Sequence, residues 1–407
     1  MNGFIGTEET IMISGIGWLA IAAAAVGAFL LARRRADWGI ALVVAALPLY
    51  QVRGSLGVPT TLLELILGAV VLGVLSRWPR YRPVRSPFDP WLALWVLGSL
   101  LAAVLAPDPK QALGLWRAFF LEPAVFFVAA RSVFKVEPVR PLLYGAIGAI
   151  GVAAAWTAVL AAGGSALSYD GRLAGPFQSP NFMAHLTVPL TLLVLGWPGR
   201  LSRLARFGPA VLGLALLAGS QSRGGLLALA AGGLVLALLR SGPAWRKRIT
   251  AAMVIGALLV TGILLNADRD DRFSTRPVLW KTAAAVIAER PLLGAGPEYF
   301  QDEVRARVGD DEDLRRFIVP RAPDAHNLFL VTWTEWGLAT VAGLAGLLTT
   351  LAAVLWRRRD RWAVSAAAMA AAILAHGLVD TPVLKNDLAI IFMLVFVLAA
   401  LPRRRAA

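Results

Sequence analysis

An all-α, polytopic integral membrane protein with one folded loop outside the bilayer is the fold class this sequence predicts, and three observations predict it. Of 407 residues, 58% are hydrophobic and only 16% charged, and the mean hydropathy is +0.67; a soluble domain carries about 25% charged residues. Apolar runs long enough, or nearly long enough, to cross a bilayer recur along the chain. One long, mostly polar stretch, residues 266–325, interrupts them near the C-terminus.

Taken in order, the runs fall at about 11–32, 37–51, 58–76, 90–106, 112–131, 140–163, 180–197, 208–222, 224–240, 249–265, 326–356, 362–380 and 386–401. That gives thirteen candidate helices. The second and the pair around Ser222 are short, so twelve crossings plus a re-entrant segment is the alternative. The chain is thereby organised as membrane helices over 1–265, a loop over 266–325, and further membrane helices with a tail over 326–407.

Charge orients these helices. Forty Lys and Arg against twenty-five Asp and Glu give +15, but the excess sits in short clusters between apolar runs, which is a membrane signature and excludes a nucleic-acid partner. Clusters such as Arg33-Arg34-Arg35, Arg200/Arg203/Arg206 and Arg357-Arg358-Arg359 alternate with segments holding only Arg53, Lys110, Arg117, Arg172, Arg223 and Lys385. Retention of basic residues on the cytoplasmic side then places the C-terminus inside and the long loop outside. Met1 to Thr10 contains no basic residue and the first run precedes Arg33, so that run reads as an uncleaved helix with its N-terminus outside. The absence of cysteine excludes disulfides, thiolate nucleophiles and cysteine metal sites.

Within the loop, Arg276 to Arg290 reads as an amphipathic helix with Val278, Leu279, Ala283, Val286 and Ile287 on one face. Pro291 and Gly294-Ala295-Gly296-Pro297 break it, and a second polar helix covers Pro297 to Val308. A disordered tether would lack the apolar face, so the loop is expected to be a small folded cap.

Polar residues on the outward side carry the candidate chemistry. Pro323-Asp324-Ala325-His326-Asn327-Leu328-Phe329-Leu330 opens the apolar run after the loop and leads to Glu335-Trp336-Gly337, which puts His326 where water meets lipid. Arg172 stands in the turn-rich segment Asp170 to Asn181, and Ser220-Gln221-Ser222-Arg223-Gly224-Gly225 joins two apolar runs. An arginine at membrane depth costs about 2.5–3.5 kcal/mol, so Arg223 is expected to face the protein interior with an anionic partner. Guanidinium groups bind phosphate bidentately without a metal, and histidine is the usual base near neutral pH. Arg172, Arg223, Arg276 and His326 together suit a lipid-linked phosphate or pyrophosphate whose far end reacts.

Structural readings stand beside these. A histidine at a helix start can be purely structural, Arg223 can snorkel to the interface, and Arg276 can pair with Glu289. His185 and His376 read as packed inside apolar helices, whereas Glu64, Glu122 and Asp380 are membrane-embedded or helix-end acids and thus functional candidates by default. Asp268-Arg269-Asp270 is literally an Asp-x-Asp, but the topology places it where nucleotide sugars are absent. Asp310-Asp311-Glu312-Asp313 reads as a solvated acidic turn. No metal or other cofactor is implied.

Ser222-Arg223-Gly224-Gly225, Arg276 with Trp280 and Pro291-Leu292-Leu293-Gly294-Ala295-Gly296, and Ala325-His326-Asn327-Leu328-Phe329-Leu330 with Glu335 and Gly337 occur in an order and spacing that resemble the O-antigen ligase and O-antigen polymerase superfamily of bacterial membrane glycosyltransferases. Arg172 with Gly175-Pro176-Phe177 and Pro180-Asn181 adds a fourth match. The resemblance implies a fold of the class used by lipid-linked (GT-C-like) glycosyltransferases. It implies a glycan donor on undecaprenyl pyrophosphate and, for a ligase, a lipid A-core acceptor at the periplasmic face of the bacterial inner membrane. By carry-over, Arg223 and Arg276 hold the pyrophosphate, with Arg172 a further phosphate or sugar contact. His326 positions or deprotonates the acceptor hydroxyl, giving inversion without a metal, and Asn327 and Glu335 support it. A polymerase or a protein-glycosylating relative is the nearest alternative. A secondary transporter, motivated by Glu122, His185 and Asp380, lacks the two matched halves expected of that class.

Overall fold

The computed structural model describes residues 15–55, 59–248, 275–309, 324–358 and 360–402. The apolar run 249–265, the Asp268-Arg269-Asp270 pattern and the acidic run Asp310 to Asp313 lie outside the described residues.

The described chain is mostly α-helical, joined by irregular connections, with one antiparallel strand pair, Arg53–Ser55 with Pro59–Thr61, and an isolated bridge between Leu167 and Leu173. Apolar runs became helices because a backbone in a lipid-like environment must satisfy its own polar groups. The run at 58–76 is the helix Leu62–Leu75, that at 140–163 is Arg140–Ala162, and that at 386–401 is Asn386–Ala400. Among the described residues, five helical stretches are long and apolar enough to cross a membrane: Gly17–Arg34, Pro109–Phe134, Arg140–Ala162, Arg223–Arg240 and Leu328–Arg357. The second run holds only a ten-residue helix, Ala36–Ala45, before a 3₁₀ turn at Leu47–Gln51. At about 1.5 Å per residue such a helix falls well short of a bilayer's width.

The chain divides into two compact units that interleave in sequence. One comprises residues 1–85, 122–222 and 385–407, the other residues 86–121 and 223–384.

In the first unit Glu64 is a structural acid. Thr61 Oγ1 accepts the Glu64 amide at 3.2 Å while the Glu64 carboxylate accepts the Thr61 amide at 3.1 Å, a reciprocal cap on Leu62–Leu75. Its other oxygen accepts Asn386 Nδ2 at 2.6 Å, tying that helix to the start of Asn386–Ala400. Lys385, also buried, donates to Gln178 Oε1 at 3.0 Å with its ammonium 3.5 Å from the Phe182 ring centroid.

The second unit is built on the packing of Asp89–Val104 against the long helix Leu328–Arg357. A Cβ at Gly343 would come within 2.5 Å of the Trp95 backbone, so the absent side chain permits the close approach. Beside it the buried rings of Trp95, Phe120 and Trp336 pack in a continuous tilted row with successive centroids 4.6 Å apart.

The described part of the loop, residues 275–309, is mostly helical and belongs to this unit. Its helices are Thr275–Glu289 and Phe300–Val308, and the amphipathic face lies inward, with Leu279, Ala283 and Val286 all buried. Leu279, Ala283, Phe300, Val304, Ala325 and Val331 make one apolar cluster, so the cap shares its core with the start of the long helix.

Candidate active site

The junction between cap and long helix is shaped by two side chains. The Asp324 carboxylate accepts the main-chain N–H of His326 at 2.6 Å, an Asx turn that reverses the chain. Asn327 then caps the helix, its Oδ1 accepting the amides of Phe329 at 3.0 Å and Leu330 at 3.2 Å. Between them His326 takes φ +45°, a left-handed conformation uncommon outside glycine, though histidine adopts it more readily than most side chains, at a cost of about 1–2 kcal/mol.

The histidine ring faces carboxylates. Nδ1 lies 3.2 Å from Asp324 Oδ1 and 3.8 Å from Asp380 Oδ1. Thr381 fixes both acids, its hydroxyl donating to Asp324 Oδ2 at 3.3 Å and its amide to Asp380 Oδ1 at 2.9 Å. Burial pushes the Asp324 carboxyl up. The hydrogen bond and charge of the His326 side chain, the His326 amide and the Thr381 hydroxyl outweigh that effect, and its pKa lies below the ordinary carboxylate value. An ionised acceptor at Nδ1 selects the Nδ1–H tautomer and leaves Nε2 as the basic nitrogen.

Asp380 follows the helix Arg361–Gly377, and that segment is drawn to the site by Asn327, whose Nδ2 donates to Leu378 O at 3.1 Å. The first turn of Arg223–Arg240 packs on the same helix. A Cβ at Gly224 would lie 2.5 Å from the His376 ring, which is buried there as the sequence suggested. Arg223 itself is exposed at the head of its helix. The adjacent Gly224, having no side chain, leaves room for the His376 ring.

Arg276 begins the first cap helix and is half-buried. One turn on, Trp280 Nε1 donates to Ala325 O at 3.2 Å, which seats this face of the helix beside the residue preceding His326. Glu289, the alternative partner for Arg276, pairs instead with Arg307.

Glu335 is buried in the long helix just before a break that the sequence did not show. Gly337 has φ +75° and ψ −177°, a conformation essentially restricted to glycine. The breaker segment between the cap helices inserts there: Leu292 O accepts the Leu338 amide at 3.0 Å and the Ala295 amide donates to Thr334 O at 2.6 Å. Backbone groups freed by the break are thus satisfied by the loop.

His326, Asn327, Arg223, Arg276 and Glu335 all lie in the second unit, together with Asp324 and Asp380. Arg172 lies in the first unit, where it pairs with Asp170 at 2.7 Å. The role of Asp324 escaped the sequence reading, although an Asp two residues before a helix-start residue is an Asx-turn signal.

The apolar helices, the loop-capped junction and the polar groups gathered at it define an all-α polytopic membrane protein. Residues 208–345 match the family model described as O-Antigen ligase, which places this segment in the O-antigen ligase and polymerase superfamily. The match covers about a third of the chain and supports a membrane glycosyltransferase of the ligase or polymerase type. No curated protein matches the chain. The matched segment includes Arg223, Arg276, His326, Asn327 and Glu335 and excludes Arg172 and Asp380.

Proposed function

We propose that the protein transfers a finished glycan from undecaprenyl pyrophosphate to a hydroxyl of lipid A-core, at the periplasmic side of the bacterial inner membrane. The observation that carries the reading is His326 at the cap–helix junction, held in a left-handed turn with Nδ1 toward carboxylates, inside a segment matching the ligase family. In this reading Nε2 of His326 takes the acceptor proton as the hydroxyl oxygen attacks the anomeric carbon. The bond between that carbon and the pyrophosphate oxygen breaks with inversion, and the leaving group keeps the electron pair. Arg223 and Arg276 neutralise its developing charge, which is electrostatic stabilisation of the transition state. Asn327 and Glu335 support the helix that presents the base.

The test is transfer by purified protein from undecaprenyl-pyrophosphate glycan to lipid A-core in the presence of chelator. Wild type is expected to give the ligated product. His326→Ala is expected to lower kcat by about 10²–10⁴-fold and Arg276→Ala by about 10²–10³-fold. Lengthening of the lipid-linked glycan with lipid A-core unmodified would identify a polymerase instead.

A further inference from the structure

We propose that Asp324 is the positioning residue of the His326 base, one carboxylate fixing both the backbone turn that carries the ring and the tautomer that leaves Nε2 to accept the proton. The inference rests on the reading of His326 as the proton acceptor. Its ground is that a single oxygen, Asp324 Oδ1, meets the His326 main-chain N–H at 2.6 Å and its Nδ1 at 3.2 Å. Backbone strain and ring direction are thereby coupled: the ring cannot swing without loosening the contact that holds φ at +45°. The second oxygen is anchored by the Thr381 hydroxyl, so the carboxylate cannot rotate freely.

Asp380 has a different part. Its Oδ1 is 3.8 Å from Nδ1, beyond hydrogen-bond length, and already accepts the Thr381 amide. It adds negative charge near the ring without choosing the tautomer. The nearby long helix also carries the buried carboxyl of Glu335, which lies within electrostatic reach of Asp324. During transfer the hydroxyl proton moves to Nε2 while Asp324 remains a carboxylate and stabilises the imidazolium formed. Its lowered pKa fits that role, since it stays ionised throughout the neutral range.

The experiment compares full-length wild type, Asp324→Asn, Asp324→Glu, His326→Ala and the double variant Asp324→Asn with His326→Ala. Each is assayed for kcat and KM across pH with undecaprenyl-pyrophosphate glycan and lipid A-core. Asn keeps an oxygen for the backbone turn but loses the charge at Nδ1. The expected result is a kcat lower by about 10²-fold, KM changed less than about 3-fold, and partial recovery in Asp324→Glu. The acid limb of the rate profile is expected to move down by about one pH unit, because the imidazolium loses a counter-charge. The double variant is expected to be no slower than His326→Ala, since Asp324 acts through the ring.

A kcat for Asp324→Asn within about 2-fold of wild type, or additive losses in the double variant, would overturn the proposal. So would a lowered unfolding midpoint accompanied by an unmoved acid limb, which marks a role in folding alone. Wild-type activity in His326→Ala would instead remove the underlying assignment of the base.

Discussion

At the residue scale, the histidine is specified by its neighbours more than by itself. Asp324 closes the turn before it and Asn327 caps the helix after it, so a strained backbone is held from both sides. Asn327 also donates to Leu378 O, which brings the segment bearing Asp380 and Thr381 to the ring. Asn327→Ala is expected to lower stability by about 1 kcal/mol through the lost cap. Because the same side chain positions Asp380, kcat should fall as well, and chemical denaturation together with the transfer assay will separate the two effects. Asn327→Asp keeps the cap oxygen and should restore stability while leaving the Leu378 contact unmade.

At the element scale, the organising feature is a helix broken on purpose. The long helix reads as continuous in hydropathy, yet it turns at Gly337 and exchanges hydrogen bonds with Leu292 and Ala295 of the cap. The glycines and proline of Pro291 to Gly296 are therefore a docking segment, and a Cβ at Gly337 would meet Leu292 O within van der Waals overlap. Gly337→Ala is expected to cost about 1–3 kcal/mol in backbone strain and to undock the cap. Hydrogen exchange should then rise in Thr275–Glu289, and transfer should fall with it, because Trp280 seats that helix at Ala325. Protection in the cap helices equal to wild type would mean the break has no part in holding the cap.

At the scale of the whole molecule, packing between helices is carried by small residues and stacked aromatics, since lipid offers little hydrophobic drive between apolar surfaces. In the second unit the approach at Gly343 and the tilted row of Trp95, Phe120 and Trp336 fix where the long helix runs, and so where His326 is presented. Gly343→Leu is expected to cost about 1–3 kcal/mol by overpacking and to lower the unfolding midpoint in detergent. Gly68→Leu, where nothing lies within 4 Å of an added Cβ, should change it by less than about 0.5 kcal/mol.

Composition and hydropathy were enough to fix the class of protein, and the polar stretch before the last apolar runs pointed to the candidate site. Apolar runs bounded by arginines had to become helices in a bilayer, and the amphipathic face of Thr275–Glu289 had to find a core, because neither solution is open to an uncovered backbone or an unburied stripe. The Ala325-His326-Asn327 stretch announced the junction, and Asp380 stood out as an acid beside an apolar helix. Which of these groups lie together is visible only in the long-range packing. Asp324 and Asp380 are separated by more than fifty residues in the chain, and the Thr381 contacts that set both against one nitrogen depend on how two helices pack, which no local period records. The same holds for Glu64, an acid that reads as functional and serves as a cap, and for Gly337, whose break is invisible in hydropathy because its backbone partners come from the loop. Local pattern fixes what a segment becomes; side-chain partners distant in sequence fix what its polar residues do.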